Sequence, residues 1–240
     1  MVLECIGLPG SGKTYLIGKL QAELEKKGIP AVNASDSRSN RVSRKIAGKI
    51  LRAGVIPDRE AGELRSRLRE ILADGEPWSS RFGIYEDTGY TVRSAAAFVQ
   101  QYRKMMHSPK VYLLDEGLVH ALVKLCADFG IRDEIFLSMA GEAEKRLTGQ
   151  RLVVHNGIRM EDCIASIADR NRHICAFDEL RGEKLEDILR EYERLNRCYA
   201  AHFDTVEVRR EEEDHLKTER ILERLLSLTG NANRSQKTMI

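Results

Sequence analysis

The 240-residue chain contains no apolar run approaching the ~18 residues of a membrane-spanning helix. It also lacks an excess of either charge. Lys and Arg total 39 and Asp and Glu total 37, leaving a net +2. That balance excludes a globally basic nucleic-acid binder, though not a local basic patch. Cysteine is sparse. Cys5, Cys126, Cys163, Cys175 and Cys198 are odd in number and form no Cys-x-x-Cys pair, which argues against a disulfide framework or a four-cysteine zinc site. They read as reduced, mostly buried thiols of a cytoplasmic protein. The six histidines lack ligand spacing and read as ordinary side chains. Residues 1–6 are interrupted by Glu4 and run into glycine, so they do not form the apolar segment of a signal peptide. No internal repeat is visible.

Apolar residues make up 42% of the chain and charged residues 32%, enough to bury a core and too apolar for disorder. At about 150 residues per domain, the length predicts one domain, with or without an inserted subdomain. Residues 2–6 form a short, mostly apolar run that reads as a buried strand. Leu16, Ile17, Leu20 and Leu24 recur at helical spacing over 13–27, and Gly28 and Pro30 supply the stop. A second short strand fits 31–34. A helical pattern then covers 38–73, broken at Gly54 and Pro57, and the glycine-bearing stretch 74–90 reads as loop. Further helices are expected near 91–107, 117–129, 132–148, 160–169, 184–202 and 213–228. Strands are expected at 111–114, 152–154 and 205–208, with a frayed tail from Gly230. Strands alternating with helices predict an α/β domain with a parallel sheet, whose ligands bind at the strands' carboxyl ends.

The most specific motif lies at the first such end. Gly7, Leu8, Pro9, Gly10, Ser11, Gly12, Lys13 and Thr14 fit G-x-x-x-x-G-K-[ST], between a predicted strand and a predicted helix. Glycines let this backbone curl so that N–H groups converge, and the following helix adds its positive end. Lys13 can reach β- and γ-phosphates, and the Thr14 hydroxyl can ligate Mg²⁺. Asp115 closes the third strand and is the second candidate metal ligand, although it could equally cap the next helix.

With these residues the chain resembles the P-loop kinase group of small phosphotransferases, which includes nucleoside monophosphate, small-molecule and polynucleotide kinases. Gly7–Thr14, Val111–Asp115 and the arginines after the fourth strand carry the resemblance. It implies a three-layer α/β sandwich around a five-stranded parallel sheet with a helical lid. The implied layout is one domain over 1–228, an acceptor-side helical insertion over about 37–108, a lid over about 160–184 and a flexible tail over 229–240. It implies ATP and Mg²⁺ as cofactors and transfer of the γ-phosphoryl group to a small acceptor such as a nucleotide, nucleoside or other metabolite.

By the same resemblance Arg170 and Arg172 close over the phosphates from the lid, with Arg181 a weaker candidate. Their guanidinium groups can also pair with nearby Asp169, Asp178 or Glu179. Asp36 corresponds to the position where several members of the group orient and deprotonate the acceptor hydroxyl, with Arg38 beside it; a helix-capping role is compatible. Arg38, Arg41, Arg44, Lys45, Lys49 and Arg52 make 37–57 basic. This stretch is a solvated face, a pocket for an anionic acceptor bound by Arg38 and Arg41, or a track for nucleic-acid phosphate. Trp78, Phe82, Tyr85 and Tyr90 can stack on a substrate ring, although anchoring their loop to the core is the simpler role. Two alternatives remain: a polynucleotide 5′-kinase, and an ATP-driven regulator acting through a partner. The absent Asn-Lys-x-Asp motif disfavours a GTP switch.

Overall fold

The computed structural model describes residues 1–34, 58–73, 78–85, 88–147, 149–169 and 179–237, with side chains through 228. Five strands build one sheet: β1 (Val2–Ile6), β2 (Ala31–Asn33), β3 (Val111–Leu114), β4 (Arg151–Gly157) and β5 (Thr205–Arg209). Their order is β2-β3-β1-β4-β5 and every pairing is parallel. The predicted five-stranded parallel α/β architecture is therefore present. All five residues of β1 are buried between β3 and β4, as a central strand requires. After β3 the chain crosses β1 to form β4, so a crevice opens at the carboxyl end of β1.

Eight helices flank the sheet among the described residues: α1 (Lys13–Lys26), α2 (Arg59–Ala73), α3 (Thr88–Met106), α4 (Leu118–Asp128), α5 (Asp133–Glu144), α6 (Met160–Asp169), α7 (Gly182–His202) and α8 (Asp214–Lys237). Side chains of β1 alternate between two cores, as strand geometry dictates. Leu3 and Cys5 meet Leu16, Ile17, Leu20 and Leu24 of α1 and Ile221, Leu222 and Leu225 of α8. Val2 and Ile6 face the opposite core, built from α2, α3, α4, α5, α6 and α7. Helix α1 stops where the Gly28 amide bonds Glu25 O and the Ile29 amide bonds Leu24 O, both at 2.9 Å, while Ile29 packs beside Leu24.

Three helix boundaries differ clearly from the sequence pattern, among them that of α5, which ends at Glu144 and not near 148. Helix α3 begins at Thr88, not near 91. Its buried face of Thr91, Val92, Ala95, Ala96, Val99 and Tyr102 offsets the ~1 kcal/mol penalty of Gly89 in the first turn. Helix α8 continues through Gly230 to Lys237 instead of ending near 228. Its packed first half supplies the nucleus, after which each added residue costs little. No helix among the described residues is long and apolar enough to cross a membrane. Cys5, Cys126, Cys163 and Cys198 form no disulfide, and burial pushes the Cys5 thiol up to about 12.

Candidate active site

The loop between β1 and α1 is wedged between β4 and α6. A Cβ on Gly7 would lie 2.4 Å from Asn156 O, and one on Gly10 would lie 2.7 Å from Ser166 Cβ. Both glycines have positive φ, 130° and 84°, so a side chain would add backbone strain to the clash. Every carbonyl from Gly7 to Gly12 accepts a hydrogen bond. Lys13 Nζ donates to Gly7 O and Leu8 O, each at 2.9 Å. Cys163 Sγ reaches Pro9 O at 2.9 Å, Arg210 Nη1 reaches Gly10 O at 3.1 Å, and Asn156 Nδ2 reaches Ser11 O at 2.7 Å. Leu16 N takes Gly12 O at 2.9 Å. Arg210 also donates to Ser166 Oγ at 2.8 Å, tying α6 to the loop. With its carbonyls engaged by Lys13, by α1 and by groups of β4, α6 and Arg210, a loop curled this way leaves amides available to an anion. Helix α1 adds its N-terminus there, with no side chain capping it.

The two metal candidates are in contact. Thr14 Oγ1 donates to Asp115 Oδ2 at 2.7 Å, bridging 101 residues of sequence. Parallel pairing of β1 with β3 brings them together, because both strands end at the same edge. A hydroxyl beside a carboxylate is a hard oxygen donor set suited to Mg²⁺, an ion that takes few protein ligands and keeps phosphate and water oxygens. Glu116 follows on the surface, and its Oε1 lies 3.6 Å from Nε2 of the buried His120. Burial holds His120 well below the usual histidine range, and Lys124 and Lys13 add to the effect.

Beneath this edge lies a buried polar network. Glu4, fully buried, receives bonds from Tyr102 Oη at 2.8 Å, Arg151 Nη2 at 2.9 Å, Val119 N at 2.9 Å and His120 N at 3.2 Å. Arg151 also pairs with Glu144, which accepts the Tyr199 hydroxyl at 2.6 Å. Burial, with Glu4 next, raises Tyr102 far above the ordinary tyrosine value, so it stays a hydroxyl donor.

A pocket of about 250 Å³ adjoins Asp115 between α3 and α4, lined among others by Tyr85, Tyr90, Phe98, Gln101, Glu116 and His120. The Tyr85 and Tyr90 rings are roughly parallel, with centroids 6.3 Å apart. The other two aromatics of this region serve as anchors. Trp78 Nε1 bonds Leu72 O at 2.8 Å, and Phe82 packs on the core. The loop itself is tied to buried Asp128 at the end of α4. The Asp128 carboxylate accepts from Ser80 Oγ at 2.8 Å, Phe82 N at 3.2 Å, Ile84 N at 3.4 Å and Tyr85 N at 2.9 Å.

Asp36, Arg38, Arg41, Arg170 and Arg172, and the basic stretch around 38–52, lie outside the described residues. Ala34 N bonds Leu113 O at 2.9 Å beside β3, and α6, which touches the loop, ends at Asp169. Arg181 donates to Leu180 O at 2.7 Å at the start of α7. Sequence reasoning missed Asn156, Arg210 and Glu4. Only Glu4 left a signal, a carboxylate inside an otherwise apolar strand.

No protein-family model matches the chain, and no curated protein matches its sequence. Its fold, however, is shared by solved structures of a nucleoside kinase. Among solved structures with this fold is deoxyadenosine kinase from M. mycoides with the products dCMP and a flexible dCDP bound. It matches at TM-score 0.52 and 13% identity over 95% of this chain and 100% of that one. The same enzyme with dATP bound matches at TM-score 0.50 and 13% identity, over 94% and 99%.

Proposed function

We propose that the protein is an ATP- and Mg²⁺-dependent phosphotransferase whose acceptor is a small ring-bearing molecule of the nucleoside or nucleotide class, working in the cytoplasm. One observation carries this reading: the loop with its carbonyls engaged holds Lys13 and the Thr14–Asp115 contact beside an aromatic-lined pocket. Amides of Gly7–Thr14 and the Lys13 ammonium would neutralise the triphosphate. Thr14 and Asp115 would hold Mg²⁺, which would supply neutralisation of phosphate charge. Tyr85, Tyr90 and Phe98 would grip the acceptor ring and Gln101 its polar edge.

In the transfer, the acceptor oxygen forms a bond to the γ-phosphorus as the bond to the β-phosphate oxygen breaks. Asp36 would take the hydroxyl proton, or only orient the acceptor where a phosphate oxygen attacks. Arg170 or Arg172 would spread the charge of the transferred group and exclude water. Arg38 and Arg41 would contact an anionic acceptor. Such positioning and charge compensation are most of what phosphoryl transfer requires. The single-domain layout, with an acceptor-side insertion over 37–108 and a lid over 160–184, belongs to the same reading.

The test is γ-labelled ATP offered with nucleosides, nucleotides, other hydroxylated metabolites and short oligonucleotides. The expected result is Mg²⁺-dependent labelling of a nucleoside or nucleotide. Asp36→Asn should lower that turnover about 100-fold with a smaller change in ATP affinity. Labelling confined to oligonucleotide 5′ ends would make the enzyme a polynucleotide kinase. Hydrolysis indifferent to every acceptor, but raised by a protein partner, would make it a regulator.

A further inference from the structure

The buried Glu4 lies directly beneath the turn that presents Asp115. In the β1–β3 register Glu4 is opposite Leu114, the residue before Asp115. A carboxylate inside a sheet is costly unless fully compensated. A lone structural ion pair with Arg151 would meet much of that demand. Glu4 does more: one oxygen, Oε1, accepts the amides of Val119 and His120, and the other accepts Tyr102 and Arg151. Tyr102 Oη in turn accepts the amide of Leu118 at 3.1 Å. Three successive amides opening α4 therefore end on the Glu4–Tyr102 pair.

Helix α4 has no cap of its own, because its N-cap residue is Gly117 and no side-chain cap bond forms. The carboxylate from β1 takes that role across 115 residues of sequence and complements the positive helix end. Nor is there slack between them. A Cβ on Gly117 would lie 2.0 Å from Tyr102 Oη and 2.6 Å from Glu4 Cδ. Gly117 follows Asp115 by two residues, and Asp115 meets Thr14 at 2.7 Å on the other side.

We infer that Glu4 is a positioning residue: through Tyr102 and the first turn of α4 it sets the Asp115 carboxylate against Thr14, and so sets the affinity of that pair for Mg²⁺. This rests on the metal role assigned to Thr14 and Asp115 in the proposed function.

The test uses the full chain and a fluorescent ATP analogue, with affinity measured across a Mg²⁺ titration. In Glu4→Gln the Mg²⁺ needed for half-maximal tightening should rise about tenfold, while Mg²⁺-free affinity stays within about twofold. Tyr102→Phe, which removes one hydroxyl from the same network, should shift the curve in the same direction by about threefold. Leu68→Ala, in a buried position of α2, is the control. It should lower the thermal midpoint and leave the Mg²⁺ curve unmoved. Glu4→Gln and Tyr102→Phe curves that coincide with Leu68→Ala would overturn the inference, leaving Glu4 a purely structural charge. Where Glu4→Gln does not fold, Tyr102→Phe decides alone, and an unshifted curve overturns the inference. A wild-type chain that binds the analogue with no response to Mg²⁺ removes the metal assignment itself, a failure distinct from unshifted variants.

Discussion

Two polar clusters flank the same edge of the sheet, one in the cleft and one beneath it. The upper cluster, Lys13, Thr14 and Asp115, reaches the surface. The lower one, Glu4, Tyr102, Arg151, Glu144 and Tyr199, lies inside the fold. Their hydrogen bonds are equally short, yet they do different work. The buried carboxylates and hydroxyls engage one another and the α4 amides, as burial of charge demands. The upper groups rest on a backbone loop and on each other at the mouth of a crevice, where a polyanion and a cation can replace those contacts. Stability is thus concentrated in one cluster and ligand chemistry in the other.

Substitutions that separate the two functions test the contrast. The largest effect is expected at Arg151. Arg151→Ala strips Glu4 and Glu144 of their buried cation and should cost about 3–5 kcal/mol of unfolding free energy in urea titrations. A loss below about 1 kcal/mol, the range of surface pairs, would erase the distinction. Next is Lys13→Ala, expected to weaken nucleotide binding by about 100-fold or more while moving the unfolding midpoint less than Arg151→Ala does, since the Lys13 ammonium is partly exposed and bonds the carbonyls of Gly7 and Leu8. Calorimetric titration with ATP and a parallel melt give both values. Unimpaired binding would remove the phosphate-loop assignment.

A smaller effect concerns pH. Burial lowers the pKa of His120 and His155 in the folded chain, whereas in the unfolded chain both titrate near 6.5. As pH falls below about 6.5 the unfolded state takes up protons that the folded state refuses, so stability falls by at most ~1.4 kcal/mol per pH unit per histidine. Above that pH both states are neutral at these positions and the contribution is flat. His120→Gln should make the acid limb shallower in denaturation curves recorded from pH 7 to 5; an identical slope would count against its burial in neutral form. Smallest is Arg67→Ala, which breaks an exposed pair with Glu70 and should change stability by less than about 0.5 kcal/mol.

The sequence made local structure legible. The strand–loop–helix at residues 2–26 carries its pattern in adjacent residues, so its strand, glycine turn and helical stripe could be read directly. Asp115 was also recognisable, because a carboxylate ending an apolar strand is a local sign. What could not be read depends on register between distant segments. Asn156 reaches the loop across 145 residues, Arg151 reaches Glu4 across 147, and Arg210 reaches Gly10 across 200. No spacing rule specifies such contacts; they exist because β4 lies beside β1, and β5 beside β4, in a particular alignment. The aromatic stretch divided for a similar reason. Trp78, Phe82 and Tyr85 all pack on the core, yet Tyr85 also lines the pocket with Tyr90, and Asp128, from a different element, holds the Phe82 and Tyr85 amides.

Helix α4 is gripped at both ends by carboxylates of opposite purpose. Glu4 clamps its opening amides, and its last residue, Asp128, clamps the loop that presents Tyr85. Eleven residues at 1.5 Å apiece make it a rod of about 16 Å. Its length therefore gauges how far the aromatic wall stands from the Asp115 turn. A longer or shorter α4 would resize the chamber without altering a single residue that lines it.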